Sequence, residues 1–287
     1  MTAKAKRLQA SGGLDIAPLS AALGAEIGGV DLSGPLDDDL VAALRRALLD
    51  HLVVFFRDQR LAPRSLLALA ARFGEPAEYP FVRGLDGFPL VTPVIKEAGD
   101  TVNFGGIWHT DTAYLERPSM ATMLYAIETP AAGGDTLFAN MYLAYEALSD
   151  GMKRLLSGLR AVNAADKPAV AASRAGMIRS LGGGKGGVAT SAVHPVVRSH
   201  PETGRKSLYV NLAHTVRFDG MTEEESAPLL GYLFAHQVRP EFTCRFRWRP
   251  GSLAFWDNRA SLHYPINDYH GQRRVMHRVT LAGDVPA

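Results

Sequence analysis

The stretch GIWHTDTAYLERPS, residues 106–119, places His109 and Asp111 two positions apart among large aromatics. A charged group beside Trp and Tyr is costly unless something pairs with it. In an extended segment or strand-end turn, residues i and i+2 share a face. The imidazole and the carboxylate then point the same way and can hold two adjacent corners of a metal site. The chain has nine histidines, and the eight besides His109 are available for a third corner. His263, in AFWDNRASLHYP, follows a strand-like run and a turn, which can set it at a barrel mouth opposite the first pair. Two imidazoles and a carboxylate on one face of an ion leave three positions open, which suits non-haem Fe(II) binding a co-substrate and O2. A His-x-Asp pair is also common in surface turns, and a zinc hydrolase could use the same three ligands. His51, His194, His200, His236, His270 and His277 are read as structural or solvent-facing.

Downstream, QRRVMHRVTLAGD (272–284) reads as a strand. Arg274, Met276 and Arg278 fall on one face; Arg273, Val275, His277 and Val279 fall on the other. Two arginines on an inward face need anions, and arginine grips a carboxylate bidentately. They suit two anionic groups, one on a co-substrate and one on a substrate. An internal salt bridge, or an edge strand with its Arg face in solvent, is the other reading. In GGDTLFANM (133–141) two glycines allow a tight turn and Thr136 opens the following strand. Its hydroxyl could donate to a carboxylate, although Thr is favoured in strands for steric reasons alone.

These side chains need a scaffold. The chain has 287 residues, 47% hydrophobic, enough for a large core. Helical spacing runs through LDDDLVAALRRALLDH (36–51), which opens on acidic residues, and through APRSLLALAARFGEP (62–76), with Pro63 in its first turn. From about residue 90, short strand-like runs separated by turn residues point to a β-sandwich or jelly roll. Helices interrupt them at YLAYEALSDGMKRLLSGL and TEEESAPLLGYLFAHQV. KPAVAASRAGMIRSLGGGKGGVATSAV (167–193), rich in Gly, Ala and Ser, reads as a long loop and a candidate lid. The expectation is a single domain over 14–287 behind a frayed, polar start at 1–13. No run approaches the roughly 20 apolar residues of a membrane span. The net charge of +2, with no Lys/Arg block, gives no sign of a nucleic-acid or membrane partner. The single cysteine, Cys244, excludes an intramolecular disulfide and suits a reducing, cytoplasmic setting.

Taken together, WHTD, GGDT, AYEALS, HPVVRSHPETGRKSLYVN, FWDNR…HY and QRRVMHR resemble, in the same order, the TauD/TfdA family of Fe(II)/2-oxoglutarate dioxygenases. The likeness runs from about residue 14 to 284. It implies a mainly β fold with flanking helices, the double-stranded β-helix or jelly roll. It implies His109, Asp111 and His263 as iron ligands, and Arg274, helped by Thr136, on the distal carboxylate of 2-oxoglutarate. Arg278 matches the position that meets a substrate sulfonate or carboxylate, and Trp256 is expected near the iron. The implied reaction consumes O2, converts 2-oxoglutarate to succinate and CO2, and hydroxylates a C–H bond. Asp111 favours oxygenation over halogenation, because related halogenases lack that carboxylate. Homo-oligomers, dimers or tetramers, are common among such enzymes and are expected here.

The likeness departs from the taurine enzymes at three positions. Tyr79, in RFGEPAEYPFVRG, stands where they carry a substrate-binding histidine. Gly105 stands where they carry an asparagine, and His214, in LYVNLAHTVRF, where a pocket phenylalanine is expected. These changes touch the substrate pocket and leave the iron and co-substrate positions intact. A different small organic anion is therefore expected, an alkyl sulfate or sulfonate or an aryloxyalkanoate, with taurine itself as the alternative. Tyr79 and His214 are candidate substrate contacts. A zinc hydrolase would have no use for Arg274 and Arg278, and a non-catalytic acid-binding jelly roll would not need all three iron ligands.

Overall fold

Alternation along the strands sorts the side chains into two cores. In Val53–Phe56, Leu253–Asp257 and Ala121–Glu128, one parity (Val54, Phe56, Leu253, Phe255, Met123, Tyr125) packs against helices. The other parity (Val53, Phe55, Ala254, Trp256, Leu124, Ala126) faces a second sheet. The computed structural model describes residues 8–9, 14–184, 187 and 189–287. Among them the larger sheet has nine strands. It runs from Leu8–Gln9 through Asp15–Pro18, Ala25–Gly28, Val53–Phe56, Leu253–Asp257, Ala121–Glu128 and Arg274–Leu281 to Pro76–Ala77, and Thr92–Lys96 also pairs with Arg274–Leu281. The facing sheet orders Thr243–Phe246, Thr136–Asn140 and Ser261–Pro265. Phe55 stacks on Phe246 at 3.9 Å, and Phe138 meets Trp256 edge-on, so aromatics fill the space between the sheets. This is the expected mainly β jelly roll.

Helices cover both outer faces. α1 (Asp38–His51) and α2 (Pro63–Ala71) bury Leu44, Leu48, Leu66 and Leu69 on the large sheet. Asp37 caps α1 by accepting from the Leu40 amide at 2.7 Å, and Pro63 opens α2, as the sequence signals require. The helix expected from Tyr142 onward is two helices, α3 (Met141–Glu146) and α4 (Asp150–Leu156). Ser149 breaks the run, because its hydroxyl accepts from the Met152 amide and starts a new helix. The long loop expected over 167–193 is also corrected: α5 (Pro168–Leu181) occupies half of it, and Ser191–Pro195 is a strand. Pro168 is preorganised for the first turn, the alanines favour helix, and Gly182 (φ +85°) ends it. α6 (Glu223–His236) opens on a Thr222–Glu225 capping box. α3, α4 and α6 pack on the back of the smaller sheet around Ala139, Leu262, Leu156 and Leu233. The frayed start expected at 1–13 lies outside the described residues, except that Leu8–Gln9 pair with Asp15–Ile16. No helix among the described residues is long and apolar enough to cross a membrane.

At the end of Leu253–Asp257 the chain turns back through a buried ionic cluster. Arg259 donates from Nε and Nη2 to the two oxygens of Asp257 at 2.9 and 2.6 Å. His200 Nε2 donates to Asp257 Oδ2 at 3.0 Å. Arg259 reaches on to Glu202, which also holds Arg45 of α1. Burial alone would raise the Asp257 pKa. The hydrogen bonds and charges of Arg259 and His200 outweigh that and hold it far below the usual carboxylate range. Breaking one partner of such a pair strands the other charge and costs about 3–5 kcal/mol. Asp257→Asn should therefore lower the urea midpoint by an amount corresponding to that loss. A depressed carboxylate contributes fully above its unfolded value of about 4 and loses that contribution as pH falls. The acid limb of the stability–pH profile should accordingly be shallower in the variant.

Candidate active site

His109 and His263 are joined through their own backbones. The His109 amide donates to the His263 carbonyl at 3.0 Å, and the His263 amide returns the bond at 2.8 Å. This antiparallel pair brings the two rings to 4.0 Å between centroids. Phe138, opposite His263 in the ladder, and Trp256, 4.8 Å from its ring, pack the imidazole from the sandwich side. Asp111 turns back towards them. Its Oδ1 lies 3.8 Å from His109 Nε2 and 4.0 Å from His263 Nε2. One ligand atom from each of the three buried side chains lies within 4.8 Å of the others.

The protonation states suit a cation. His109 Nδ1 is 2.6 Å from the Ile107 carbonyl, so it carries the proton and leaves the Nε2 lone pair facing Asp111. Burial disfavours the charged imidazole more than Asp111 favours it, so both rings have lowered pKa values, His263 far below the usual range. Burial also works against the Asp111 carboxylate, but His263, Arg278, His109 and the Thr122 hydroxyl together hold it down to about 2. Two neutral imidazoles and an ionised carboxylate form a donor set that a divalent metal can occupy from one side. The residues present therefore fit a ferrous ion.

Asn258, to which the sequence analysis assigned no role, supports the carboxylate. Its Oδ1 accepts from the Asp111 amide at 3.3 Å and from Trp256 Nε1 at 2.9 Å. Its Nδ2 donates to Thr122 Oγ1 at 2.9 Å, and Thr122 donates to Asp111 Oδ2 at 2.6 Å, leaving Oδ1 for the centre. Asn258 follows a fully buried strand within FWDNR, and a polar side chain there is the one sequence signal that marks it. Directly after Asp111 the β-branched Thr112 adopts φ +55°, a strained conformation held by its hydroxyl bonds with Ser119.

Two cavities adjoin the triad. One, of about 40 Å³, lies between the sheets and is walled by Thr136, Trp248, Trp256, His263, Arg274 and Arg278. Arg274 is buried, and its Nε and Nη2 have no partner among the described residues. Burial lowers its pKa. Trp248 Nε1 donates to Thr136 Oγ1 at 2.9 Å, which leaves the threonine proton free for an acceptor in the cavity. The other cavity, of about 30 Å³, also borders His109 and reaches Asp111, between Tyr79, Phe104, Tyr114, Arg174, His214 and Arg278. Arg278 lines both, 3.7 Å from Asp111 Oδ1 and 4.3 Å from the Tyr79 ring. His214 bonds through Nδ1 to the Ala164 carbonyl and meets Tyr114 edge-on; burial pulls its pKa down to about 3.

All the sequence-predicted site residues are thus gathered here: His109, Asp111 and His263 at the centre, Thr136 and Arg274 in one cavity, Tyr79 and His214 in the other, and Arg278 between. Gly105 also adjoins the centre. At φ +68°, a Cβ there would sit 2.9 Å from His109 Cε1, so a side chain would press on the imidazole. Asn103, two residues earlier, is buried instead and binds the Pro265 and Ile266 carbonyls and the Tyr269 hydroxyl. His194, His200 and His236 serve structural contacts with Leu115, Asp257 and Ala144, as read from the sequence.

Residues 15–280 match the taurine catabolism dioxygenase TauD, TfdA family. The chain is 38% identical to an alpha-ketoglutarate-dependent sulfate ester dioxygenase of Pseudomonas putida, over 95% of this chain and 91% of that one. It is 36% identical to an alkylsulfatase of Acinetobacter baylyi, over 95% and 86%. Among solved structures, a taurine dioxygenase from Burkholderia xenovorans superposes with a TM-score of 0.79 at 40% identity, covering 96% of this chain and 91% of that one.

The Asn258 contacts lead to a binding prediction. Groups that orient metal ligands typically contribute about 10–100-fold to affinity. Titration of Mn(II) into the wild-type chain should show one site. Asn258→Ala should weaken it by about that factor, and Asp111→Ala should remove it.

Proposed function

The chain belongs to the TauD/TfdA family and is a 2-oxoglutarate-dependent dioxygenase, and from that premise we propose that it hydroxylates a small organic anion, an alkyl sulfate ester in first place. His109, Asp111 and His263 would hold Fe(II), which, with 2-oxoglutarate and O2, supplies the C–H hydroxylation and leaves succinate and CO2. Arg274 and Thr136 take the distal carboxylate of 2-oxoglutarate, the guanidinium through its two unpaired donors and the threonine through its free proton. Arg278 faces the substrate anion across Asp111. Tyr79, Phe104 and Tyr114 wall the substrate side and keep water from it. α5 covers that side and acts as the lid.

The observation that carries this reading is the pair of buried guanidinium groups, Arg274 and Arg278, each with unpaired donors, beside one His/Asp/His centre. A hydrolase of the same ligand set needs neither. The sulfate ester class is supported by the two relatives just described and by the residues at positions 79, 105 and 214, which depart from the taurine pattern. Hydroxylation at the carbon bearing the sulfate gives an adduct that splits into an aldehyde and hydrogensulfate. The oxygen added to carbon becomes the carbonyl oxygen, and the C–O bond to sulfate breaks.

The test is succinate release from 2-oxoglutarate with hexyl sulfate, taurine and both enantiomers of 2-phenoxypropionate. Hexyl sulfate should stimulate it most, with aldehyde and sulfate formed in equal amounts. Equal stimulation by 1-hexanol would sink the anion reading. Removing one member of a buried charge pair typically costs 2–5 kcal/mol. Arg274→Ala should therefore raise the KM for 2-oxoglutarate by about 100-fold or more, while Mn(II) affinity stays within about threefold of wild type.

A further inference from the structure

α5 brings a second guanidinium into the substrate cavity. Val170, Ser173 and Arg174 of this helix line the same wall as Tyr114 and His214. Arg174 is 7% exposed. Its guanidinium lies 4.1 Å from the centre of the Phe81 ring, and Nη2 donates to the Ala165 carbonyl. Its Nη1 is buried with no partner. Among the described residues no carboxylate pairs with it. Asp111, the one acid on the cavity wall, is turned towards the two histidines and Arg278. A buried cation with an unmet donor is costly unless an anion reaches it.

Arg174 and Arg278 differ in what else they touch. Arg278 borders both cavities and stands beside Asp111, so the co-substrate side shares it. Arg174 borders the substrate cavity and not the one with Thr136 and Arg274. With Asp111 committed to the centre, the substrate wall presents two guanidinium groups from different parts of the chain, one on the sheet and one on the helix. A sulfate carries three terminal oxygens and can be held by both at once.

We propose that Arg174 is a substrate-specificity residue: its free Nη1 takes one oxygen of the substrate's anionic head group, opposite Arg278, so that the anion ties α5 to the sheet. This rests on the reading of the cavity as an organic-anion site. It explains an arginine on the inner side of an otherwise alanine-rich helix, and it gives that helix a reason to close on a charged substrate.

The experiment measures direct binding of hexyl sulfate to full-length protein loaded with Mn(II) and 2-oxoglutarate, alongside succinate release with Fe(II). Arg174→Gln should weaken hexyl sulfate binding by about 30-fold, the lower end of the effect of truncating a buried charge partner. Arg174→Lys should recover part of it. Binding of the uncharged hexyl methanesulfonate and the KM for 2-oxoglutarate should both stay within about twofold, which a merely structural role for Arg174 would not allow. Unchanged hexyl sulfate affinity in Arg174→Gln, or equal losses for the charged and uncharged ligands, would overturn the proposal. Arg174-dependent binding without succinate release would instead overturn the reading of alkyl sulfate esters as the substrate and leave this one standing. Failure of the wild type to bind hexyl sulfate would overturn both.

Discussion

Two backbone hydrogen bonds between His109 and His263 set everything else at this centre. They make the two imidazoles neighbours through the main chain, so the ring separation does not depend on side-chain packing alone. One of these residues ends an irregular segment and the other lies within a strand of the smaller sheet. The ladder from that strand to Thr136–Asn140 therefore carries the site's geometry into the sandwich. Asp111 completes the triad by a second route, from the larger sheet, through Thr122 and Asn258. The three donors thus register the two sheets against each other. A functional site held by rigid elements on both sides can keep its geometry to within a fraction of an ångström.

A second regularity concerns charge. Each buried cation around the cavities faces an aromatic ring. Arg278 lies over Tyr79 and Phe104, Arg274 near Trp248, Arg174 over Phe81 and Lys96 over Tyr269. A carboxylate in any of these places would stabilise the free protein more strongly, but it would also compete with an incoming anion. A ring face contributes only about 0.5–2 kcal/mol and asks for no displacement. The cavity therefore stays electropositive at a tolerable cost in stability, and ligand binding returns part of that cost by mass action. The exposed Arg273 on the other face of the same strand shows the contrast, since it is paired with both Glu97 and Glu128.

What could be read from the sequence follows from the same geometry. The period of two put Arg274 and Arg278 on the inner face, and the fully buried Met276 between them confirms that face. His109 and Asp111 were legible because their contact is local, two residues apart. His263 was legible only as a histidine after a strand; the bridge that seats it spans more than 150 positions and leaves no local mark. Asn258 was missed because its partners at 110–111 and 122 become neighbours only when the sheet forms. α5 was misread because glycine and serine content hid a helix whose stability comes partly from packing Val170 and Met177 on the body of the protein. The split of α3 from α4 was a capping decision at Ser149, and one hydroxyl outweighed the periodicity.

The two cavities differ in what builds them, and that difference bears on how such a scaffold changes substrate. Thr136, Trp256, His263 and Arg274 all project from strands whose neighbours are fixed by ladders. Tyr79, Phe104, Gly105 and His214 lie in connecting segments, and Val170 and Arg174 lie on a helix outside the sheets. Replacing the first set disturbs the sandwich core, whereas replacing the second alters the wall and little else. Gly105 marks the boundary, because its missing Cβ leaves room for the His109 ring in the centre itself. A bulkier residue there would couple pocket shape to ligand position. On the proposed reading of the two cavities, substrate choice is free to vary at 79, 174 and 214, while the centre and the co-substrate side remain under the constraint of the sheets.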